Sequence, residues 1–332
     1  MKKLLQLLPH IRGKKIGVYG DLIADEYVYG TIRRFSREAP VFVVNYEASQ
    51  IGPGGAANAV NNIHELGARP YPFGVLGTDP AGRSLLNLLK EKGISTDGIV
   101  NNDHHATFVK QRVVAGSPHS VKQQILRIDR CLPLPPDSAN HRLLLDRFRE
   151  MAKDLDALII SDYGLGVAHP MHLAPVIREL CRLGLPCFVD SRYSLQQFNG
   201  VTAATPNEPE LETVLGRIID STNLIEAGRE MIQKLDMQAL LITRGRDGMA
   251  LFTRDQDPRM IPIFGSSDIV DVTGAGDTVI TTFALGVVAG ASFHDAALLA
   301  NCAAGLVVMK RGAATVSPEE LADAIRVADM HE

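Results

Sequence analysis

The sequence contains no tryptophan, and its 332 residues include only four cysteines. These four residues form no CxxC pair and have no histidines at zinc-finger spacing; they are Cys131, Cys181, Cys187 and Cys302. The sequence therefore predicts reduced thiols in a reducing compartment. The formal net charge is only −4 at pH 7, which provides no basic surface for nucleic acid or an anionic membrane, so we expect neither partner.

Long hydrophobic runs are absent as well. The longest uncharged stretch follows Asp277 and ends before His294, which is shorter than the roughly 20 residues of a membrane-spanning helix. The apolar N-terminal segment is interrupted at Pro9 and Arg12 and has no small-residue cleavage site, which favours an amphipathic surface helix over a signal peptide. We therefore expect a cytoplasmic protein.

Several catalytic motifs are missing too. The sequence has no HExxH, no GxSxG and no GK[ST], which excludes the zinc metalloproteases, hydrolases and P-loop proteins that depend on them. A nicotinamide dehydrogenase would need GxGxxG after the first strand, and the segment IGVYGDLIAD lacks that motif.

Short Val- and Ile-rich runs alternate with segments of helical period, which predicts an α/β fold with a largely parallel sheet. The predicted strands are residues 16–21, 71–77, 156–162, 186–190 and 239–245, and the predicted helices are 56–67, 82–93, 275–290, 293–310 and 318–329. Two regions, about 26–50 and 106–130, instead contain paired alternating runs around polar turns, which indicates half-exposed antiparallel strands. We expect them to form a small β lid inserted in one domain that spans residues 1–332.

Acidic residues stand at the ends of three predicted strands: Asp21, Asp162 and Asp190. Ligands of open α/β sheets bind beyond the carboxyl ends of the strands, and carboxylates accept hydrogen bonds from sugar hydroxyls. The trio therefore indicates a hydroxyl-rich ligand, although each aspartate alone is equally consistent with a helix N-cap or a metal ligand.

The segment Ile269–Gly286 has the most informative pattern. A strand-like run ends, residues 273–276 (TGAG) turn, and a helix begins with Asp277 in its first turn. Backbone amides at a helix start bind anions, so this turn could hold a transferring phosphoryl group while Asp277 accepts a proton from an attacking hydroxyl. The alternative is an ordinary tight turn with an acidic residue at a favourable helix position.

Two further motifs are compatible with a nucleotide. In Leu240–Phe252, the residues Thr243, Arg244, Gly245 and Gly248 could contact phosphates, or they could simply form a hairpin. In TPNEPE, Asn207 and Glu210 are three residues apart and could orient the water shell of a magnesium ion. Spacing alone favours a helix N-cap for this second motif.

Glycines also precede the first long helix, in Ile51–Val60. We interpret this segment as a turn that opens the helix, where small residues and Asn58 would let a sugar ring lie against the backbone. A tight helix entry without a ligand is the alternative.

The motifs PGGAAN, TPNEPE, TRGRDG and DVTGAGD occur in this order, and together they resemble the ribokinase-like (PfkB) family of sugar kinases over essentially the whole chain. More narrowly, GDLIADEYVYG, FSREAPVFVV, ILRIDR, SDYGLG and GAATVSPEEL are similar to the kinase part of ADP-heptose synthases. Those kinases phosphorylate C1 of D-glycero-D-manno-heptose 7-phosphate in lipopolysaccharide core biosynthesis.

The resemblance implies a three-layer α/β/α fold with a mostly parallel central sheet, a β lid that forms a homodimer, and MgATP as the phosphoryl donor. It implies that Asp277 is the catalytic base and that the anion hole consists of Gly274, Ala275 and Gly276. Residues implied to order magnesium and the phosphates are Asn207 and Glu210. Residues implied to meet the nucleotide are Thr243, Arg244, Gly245, Gly248 and Asn301. A monovalent cation, K⁺ in this family, is implied at Asp271, Thr273 and the loop near Gly312.

The sugar-binding positions implied by the same resemblance are Asp21, Gly54, Gly55 and Asn58, with further contacts from Asp25, Glu38, Lys110, Arg112 and Asp162. Two positions depart from the heptose kinase pattern, which has a lysine where this chain has Leu165 and Asp-Pro-Lys where it has Asp190-Ser191-Arg192. Arginine and lysine differ in geometry, so these departures bear on the sugar rather than on phosphoryl transfer.

No nucleotidyltransferase motif of the HxGH type follows the kinase motifs, so we expect a kinase without the second activity. The alternatives are a kinase of another sugar or nucleoside in the same family, and a non-catalytic sugar-binding protein of this fold.

Overall fold

The computed structural model describes residues 2–118, 120–265 and 269–329. Its strands are β1 (Lys15–Gly20), β2 (Leu22–Phe35), β3 (Phe42–Gly55), β4 (Arg69–Gly77), β5 (Ile99–Asn102), β6 (Phe108–Gly116), β7 (Gln123–Arg130), β8 (Ala157–Asp162), β9 (Cys187–Ser191), β10 (Ala203–Ala204), β11 (Ala239–Thr243), β12 (Met249–Thr253) and β13 (Gln256–Ile261). Its α-helices are α1 (Lys2–Ile11), α2 (Ala56–Glu65), α3 (Pro80–Glu91), α4 (Ala139–Met151), α5 (Pro170–Arg182), α6 (Glu208–Leu215), α7 (Leu224–Leu235), α8 (Ala275–Val288), α9 (Phe293–Val307) and α10 (Pro318–Asp329).

The central sheet has the strand order β13-β12-β11-β10-β9-β8-β1-β4-β5. All pairs from β11 to β5 are parallel, and only β12 and β13 at one edge are antiparallel. Ile159 of β8 packs into one hydrophobic core and its neighbours Leu158 and Ile160 pack into another, because helices cover both faces of the sheet. The predicted mostly parallel α/β fold is therefore confirmed.

The lid is a separate four-stranded sheet with the order β3-β2-β6-β7. The two predicted strand pairs, β2 with β3 and β6 with β7, are antiparallel as expected. The sequence did not predict how they join: β2 and β6 pair in parallel, from Ile23 opposite Phe108 to Thr31 opposite Gly116. One parallel contact thus connects two antiparallel hairpins.

Two local predictions were wrong. The glycine-rich segment before α2 is not a turn but the end of β3, which stays paired with β2 as far as Leu22 opposite Gly55. The segment before Gly274 is not a strand, because the N–H groups of Val270 and Asp271 donate to the carbonyl oxygen of Val308 at the end of α9 instead of to a neighbouring strand.

The predicted helices at the C-terminal end correspond to α8, α9 and α10, and the amphipathic N-terminal helix corresponds to α1, which buries Leu4 and Ile11. Within the described ranges, no helix combines the length and the apolar character that a bilayer span requires.

Candidate active site

The start of α8 brings a carboxylate and backbone amides together. Gly274 is the N-cap residue, and its φ of 78° is in the left-handed region that glycine adopts at little cost. Asp277 lies in the first turn, as predicted. The N–H of Ala275, a predicted member of the anion hole, already donates to the carbonyl oxygen of Val272 at 3.2 Å. The amides that remain for an anion are those of the predicted Gly274 and Gly276 and of Asp277, which have no acceptor within the helix.

The carboxylate of Asp277 is almost completely buried, with 2% of the residue exposed. Asn58 Nδ2 donates to its Oδ2 at 2.7 Å, and the Tyr163 hydroxyl donates to its Oδ1 at 2.9 Å. Burial raises the pKa of Asp277 to about 6, and these two hydrogen bonds limit the rise. The group is ionised near neutral pH, and each oxygen keeps a lone pair, so it can accept a proton from a hydroxyl.

A buried polar network continues behind this carboxylate. Thr278 Oγ1 donates to Asn62 Oδ1 at 2.9 Å, and Asn62 Nδ2 donates to the carbonyl oxygen of Asn58 at 2.9 Å. The network joins α2 to α8 and fixes Asn58. We did not predict Asn62 or Thr278, although three asparagines in an otherwise apolar helical segment were a usable signal.

Tyr163, which the sequence analysis also missed, follows β8, and two cations lie close to its ring. Lys110 Nζ is 4.6 Å from the centre of its ring, and the guanidinium carbon of Arg192 is 4.5 Å from it. Lys110 belongs to lid strand β6, whereas Arg192 follows β9 of the body. Leu165, which replaces the lysine of the heptose kinase pattern, packs against the hydrophobic core instead.

The predicted nucleotide residues line one cavity of about 600 Å³ next to the start of α8. They are Asn207, Thr243, Arg244, Gly245, Gly248 and Asn301, joined by Ala275 and Gly276 of the predicted anion hole, whereas Glu210 does not line this cavity. Two of them are already engaged by the protein: Arg244 Nε pairs with Glu208 Oε1 at 2.8 Å, and Asn301 Nδ2 donates to the carbonyl oxygen of Pro262 at 2.7 Å. The apolar part of the wall includes Phe264 and Val279 and suits a flat base.

Asn207 and Glu210 form a capping box at the start of α6, which is the alternative that spacing favoured. Asn207 Oδ1 accepts from the N–H of Glu210 at 2.8 Å, and Glu210 Oε2 accepts from the N–H of Asn207 at 2.9 Å. The capping box uses Asn207 Oδ1 and Glu210 Oε2, so it leaves the amide nitrogen of Asn207 and the second carboxylate oxygen of Glu210 for other contacts.

The electrostatics around this cap favour a cation. Burial raises the pKa of Asp190, and the neighbouring carboxylates of Glu210 and Asp277 raise it further. Within the described residues, no group of three or more His, Cys, Asp or Glu side chains is arranged to hold a metal ion directly. The donor set therefore fits a magnesium ion that keeps its water ligands and binds mainly through phosphates.

The residues of the predicted monovalent-cation site lie together. Asp271 Oδ1 accepts from the N–H of Thr273 at 2.9 Å, and its Oδ2 accepts from the N–H of Gly312 at 2.9 Å. Burial alone would raise the pKa of Asp271, but these hydrogen bonds leave it below its usual value. This carboxylate thus holds the loop before α8 against the loop before α10.

A second cavity, of about 1010 Å³, lies between the lid and the body. Its wall includes a nearly buried ion pair in which Arg112 Nη1 is 2.8 Å from Asp25 Oδ1. Gly54 lies against this pair, since a β-carbon there would come within 2.6 Å of the Asp25 carboxyl group. Gly55, at a φ of 54°, caps α2 and so directs Asn58 toward Asp277.

Three predicted sugar contacts have other surroundings. Asp21 is completely buried and accepts backbone N–H groups of Tyr163 and Val167 at 2.8 and 3.1 Å, which makes it an organiser of the loop after β8. Burial raises its pKa to about 7. Asp162 is also buried and accepts from the Ser191 hydroxyl at 2.6 Å. Glu38 is exposed in the turn between β2 and β3, outside both cavities.

The geometry is that of a ribokinase-like α/β protein: a mostly parallel sheet, a β lid, and a helix that carries a buried carboxylate and begins beside the first cavity. Comparison with solved structures supports this fold. Ribokinase of Arabidopsis thaliana complexed with ribose and ATP superimposes with a TM-score of 0.73 at 21% identity, over 95% of this chain and 99% of that one. Phosphofructokinase-2 of Escherichia coli superimposes with a TM-score of 0.75 at 16% identity, again over 95% and 99%.

The sequence comparisons are more specific. Residues 15–127 and 167–320 match the pfkB family of carbohydrate kinases, and the chain belongs to that family. The bifunctional protein HldE of Geobacter metallireducens is 38% identical over 322 residues, and that of Photorhabdus laumondii is 37% identical over 324 residues. These alignments cover 96% of this chain but only 64% and 65% of those relatives.

Proposed function

We propose that the protein is an ATP-dependent kinase that phosphorylates C1 of D-glycero-D-manno-heptose 7-phosphate, a step toward ADP-heptose and the lipopolysaccharide core. The observation that carries the proposal is the position of Asp277: its carboxylate lies at the helix start that borders the nucleotide-type cavity, and Asn58 connects it to the lid side of the site. The similarity to HldE proteins over 96% of the chain supports the heptose substrate.

In this proposal Asp277 removes the proton of the sugar hydroxyl. The oxygen of that hydroxyl then forms a bond to the γ-phosphorus of ATP, and the bond from that phosphorus to the ADP oxygen breaks. The amides of Gly274, Gly276 and Asp277 at the start of α8 stabilise the negative charge on the transferring group. Asn58 and Tyr163 hold the carboxylate of the base.

The proposed contacts with ATP and its cations are those predicted from the sequence. Asn207 and Glu210 would hold Mg²⁺ through water, and the ion would neutralise phosphate charge when bound. Thr243, Arg244, Gly245, Gly248 and Asn301 would border the nucleotide. Asp271 and Thr273, whose loop is fixed to Gly312, would bind K⁺ beside the anion site.

On the acceptor side, the proposed contacts with the sugar phosphate come from Asp25, Gly54, Gly55, Asn58, Lys110 and Arg112. The pair of cations from the lid matches a phosphorylated sugar better than a neutral one. Because Asp21 and Asp162 are buried and hydrogen-bonded, we assign them to the loop beneath the sugar.

We further propose one kinase domain with the lid inserted in it, a cytoplasmic location, and a homodimer formed through the lid sheet. The lid has exposed apolar side chains suitable for such an interface: Phe35 and Tyr46 are 62% and 66% exposed, and Leu126 is 53% exposed. Sedimentation of the purified protein would measure the oligomeric state.

The decisive experiment is a phosphorylation screen with labelled ATP and Mg²⁺ across heptose 7-phosphate, hexose phosphates, pentoses and nucleosides. We expect turnover to be fastest with heptose 7-phosphate, with the product labelled at C1. Preferential turnover of a free sugar or a nucleoside would replace the heptose assignment, and the absence of both turnover and ATP binding would favour a sugar-binding protein. Asp277→Asn is the control that shows the label transfer comes from this site.

A further inference from the structure

Tyr163 connects the candidate base to three other parts of the protein. Its hydroxyl donates to Asp277 Oδ1 at 2.9 Å, and its backbone N–H donates to Asp21 Oδ2 at 2.8 Å. Its ring is within cation–π distance of both Lys110 of the lid and Arg192 of the body. Among the described residues, only Asn58 and Tyr163 donate side-chain hydrogen bonds to the Asp277 carboxylate, whereas Thr281 donates to the Asp277 backbone carbonyl.

We propose that Tyr163 is a positioning residue that fixes the Asp277 carboxylate for proton abstraction, and that Lys110 and Arg192 hold the tyrosine ring for this task. The inference rests on Asp277 being the base of the proposed reaction. It assigns no contact between Tyr163 and the sugar.

The first argument is geometric. Asn58 donates to one carboxylate oxygen only, which would leave the plane of the Asp277 carboxylate free to rotate. The second donor, on the other oxygen, defines that plane. A general base must meet its proton within hydrogen-bond distance, so a fixed plane keeps the remaining lone pairs directed at one place.

The second argument concerns the two cations. Neither Lys110 nor Arg192 forms an ion pair within the described part of the chain, although both are close enough to influence neighbouring acids. Instead they lie 4.6 and 4.5 Å from the centre of the tyrosine ring, which is within cation–π distance. Cations on the ring also make the hydroxyl a stronger hydrogen-bond donor.

The third argument is that the phenol stays a donor. Burial and the charge of Asp277 hold the pKa of Tyr163 well above its usual value, so the hydroxyl keeps its proton at every pH at which the enzyme works. The hydrogen bond to Asp277 favours the ionised carboxylate and therefore counteracts the effect of burial on the pKa of Asp277.

The test is Tyr163→Phe, which removes the hydroxyl and keeps the aromatic ring close to the two cations. We expect kcat to fall about tenfold or more, while KM for the sugar and for ATP changes less than about threefold. The acid limb of kcat/KM should move to higher pH by about one unit, because the carboxylate has lost a donor that favours its ionised form. Tyr193→Phe is the matched control: this neighbouring tyrosine is 61% exposed and should keep wild-type kinetics and the wild-type pH profile.

A second measurement does not depend on the sugar. The ¹³C carboxyl signal of Asp277, identified by its loss in Asp277→Asn, reports the protonation of the base directly. We expect its midpoint near the pKa of about 6 in the wild type and at higher pH in Tyr163→Phe. Incorporation of 3-fluorotyrosine at position 163 keeps the hydroxyl and strengthens it as a hydrogen-bond donor, so it should shift the midpoint to lower pH. If Tyr163→Phe does not fold, the fluorotyrosine protein alone tests the proposal.

The outcomes separate the two proposals. If the wild type does not phosphorylate heptose 7-phosphate but the midpoints shift as expected, the substrate assignment fails and the role of Tyr163 stands. If the midpoints of the wild type and the tyrosine variants coincide, the role of Tyr163 is refuted, whatever sugar is used. A loss of activity in Tyr163→Phe that appears only in KM would equally refute it, since that is the signature of a substrate contact.

Discussion

Asp277→Asn should make the protein more stable while removing its activity. The carboxylate is buried without a cation in contact, and its pKa in the folded protein is about 6, against an ordinary value of 3.8. A pKa raised on folding means that the folded state binds the proton more tightly than the unfolded state. The ionised carboxylate therefore opposes folding at neutral and alkaline pH.

The magnitude follows from this difference. About two pKa units at 1.36 kcal/mol each amount to roughly 3 kcal/mol at pH 8, where the carboxylate is ionised in both states. The penalty falls as the pH drops through 6, to about 1 kcal/mol at pH 4.5, and disappears below the unfolded-state pKa. We expect Asp277→Asn to be more stable than the wild type by these amounts, because asparagine can still hydrogen-bond with Asn58 and Tyr163 without carrying a charge.

The assay is urea unfolding of both proteins at pH 8 and pH 4.5, together with kcat at pH 8. Loss of the general base should lower kcat by on the order of 10²-fold or more. Asp137→Asn, in an exposed turn, is the matched control and should change neither quantity. If the difference in unfolding free energy between Asp277→Asn and the wild type were the same at pH 8 and pH 4.5, the raised pKa would be refuted. Wild-type turnover in Asp277→Asn would refute the assignment of the base.

Three further predictions follow from the same site. In Gly274→Ala the new β-carbon would lie 2.5 Å from Asn58 Nδ2, and the alanine would have to adopt a φ of 78°. We expect kcat to fall at least tenfold, measured by kinetics, and the free energy of unfolding to fall by roughly 1–2 kcal/mol, measured by urea unfolding. Gly290→Ala, with a φ of 94° and open space around it, should lose stability alone. Arg112→Met should cost about 3–5 kcal/mol, because it leaves the buried Asp25 carboxylate unpaired; adding Asp25→Leu should recover most of that loss, and no recovery would contradict the ion-pair argument. Chelation of divalent metal should abolish phosphoryl transfer and Mg²⁺ should restore it, whereas full activity in the chelator would contradict the proposed magnesium site.

The sequence was most informative where one local pattern decides the structure. The alternation of apolar runs and helical segments predicted the parallel sheet, and a glycine turn before an apolar helix predicted the start of α8 with Asp277 in its first turn. Both features depend on backbone preferences and burial within a few neighbouring residues.

The contacts of Asp277 could not be predicted in this way. Asn58 and Tyr163 are 219 and 114 residues away along the chain. They meet Asp277 only because β1 and β8 are neighbours in the sheet and α2 packs against α8. Strand order and helix packing are properties of the whole fold, which no local pattern records. The burial of Asp21 has the same origin, since the loop that encloses its carboxylate begins 142 residues later in the sequence.

The hairpin of β2 and β3 keeps assembly, at its tip, apart from the proposed chemistry near its base, so that each can change independently. At the base of the hairpin Leu22 pairs with Gly55, directly before α2, while the turn at Ser36–Val41 lies roughly 40 Å further along the strands. Substitutions or insertions at the tip could therefore alter assembly, or attach a new binding segment, without disturbing the chemistry. The base offers no such freedom, because Gly54 already touches Asp25 and a one-residue insertion there would rotate Asn58 away from Asp277.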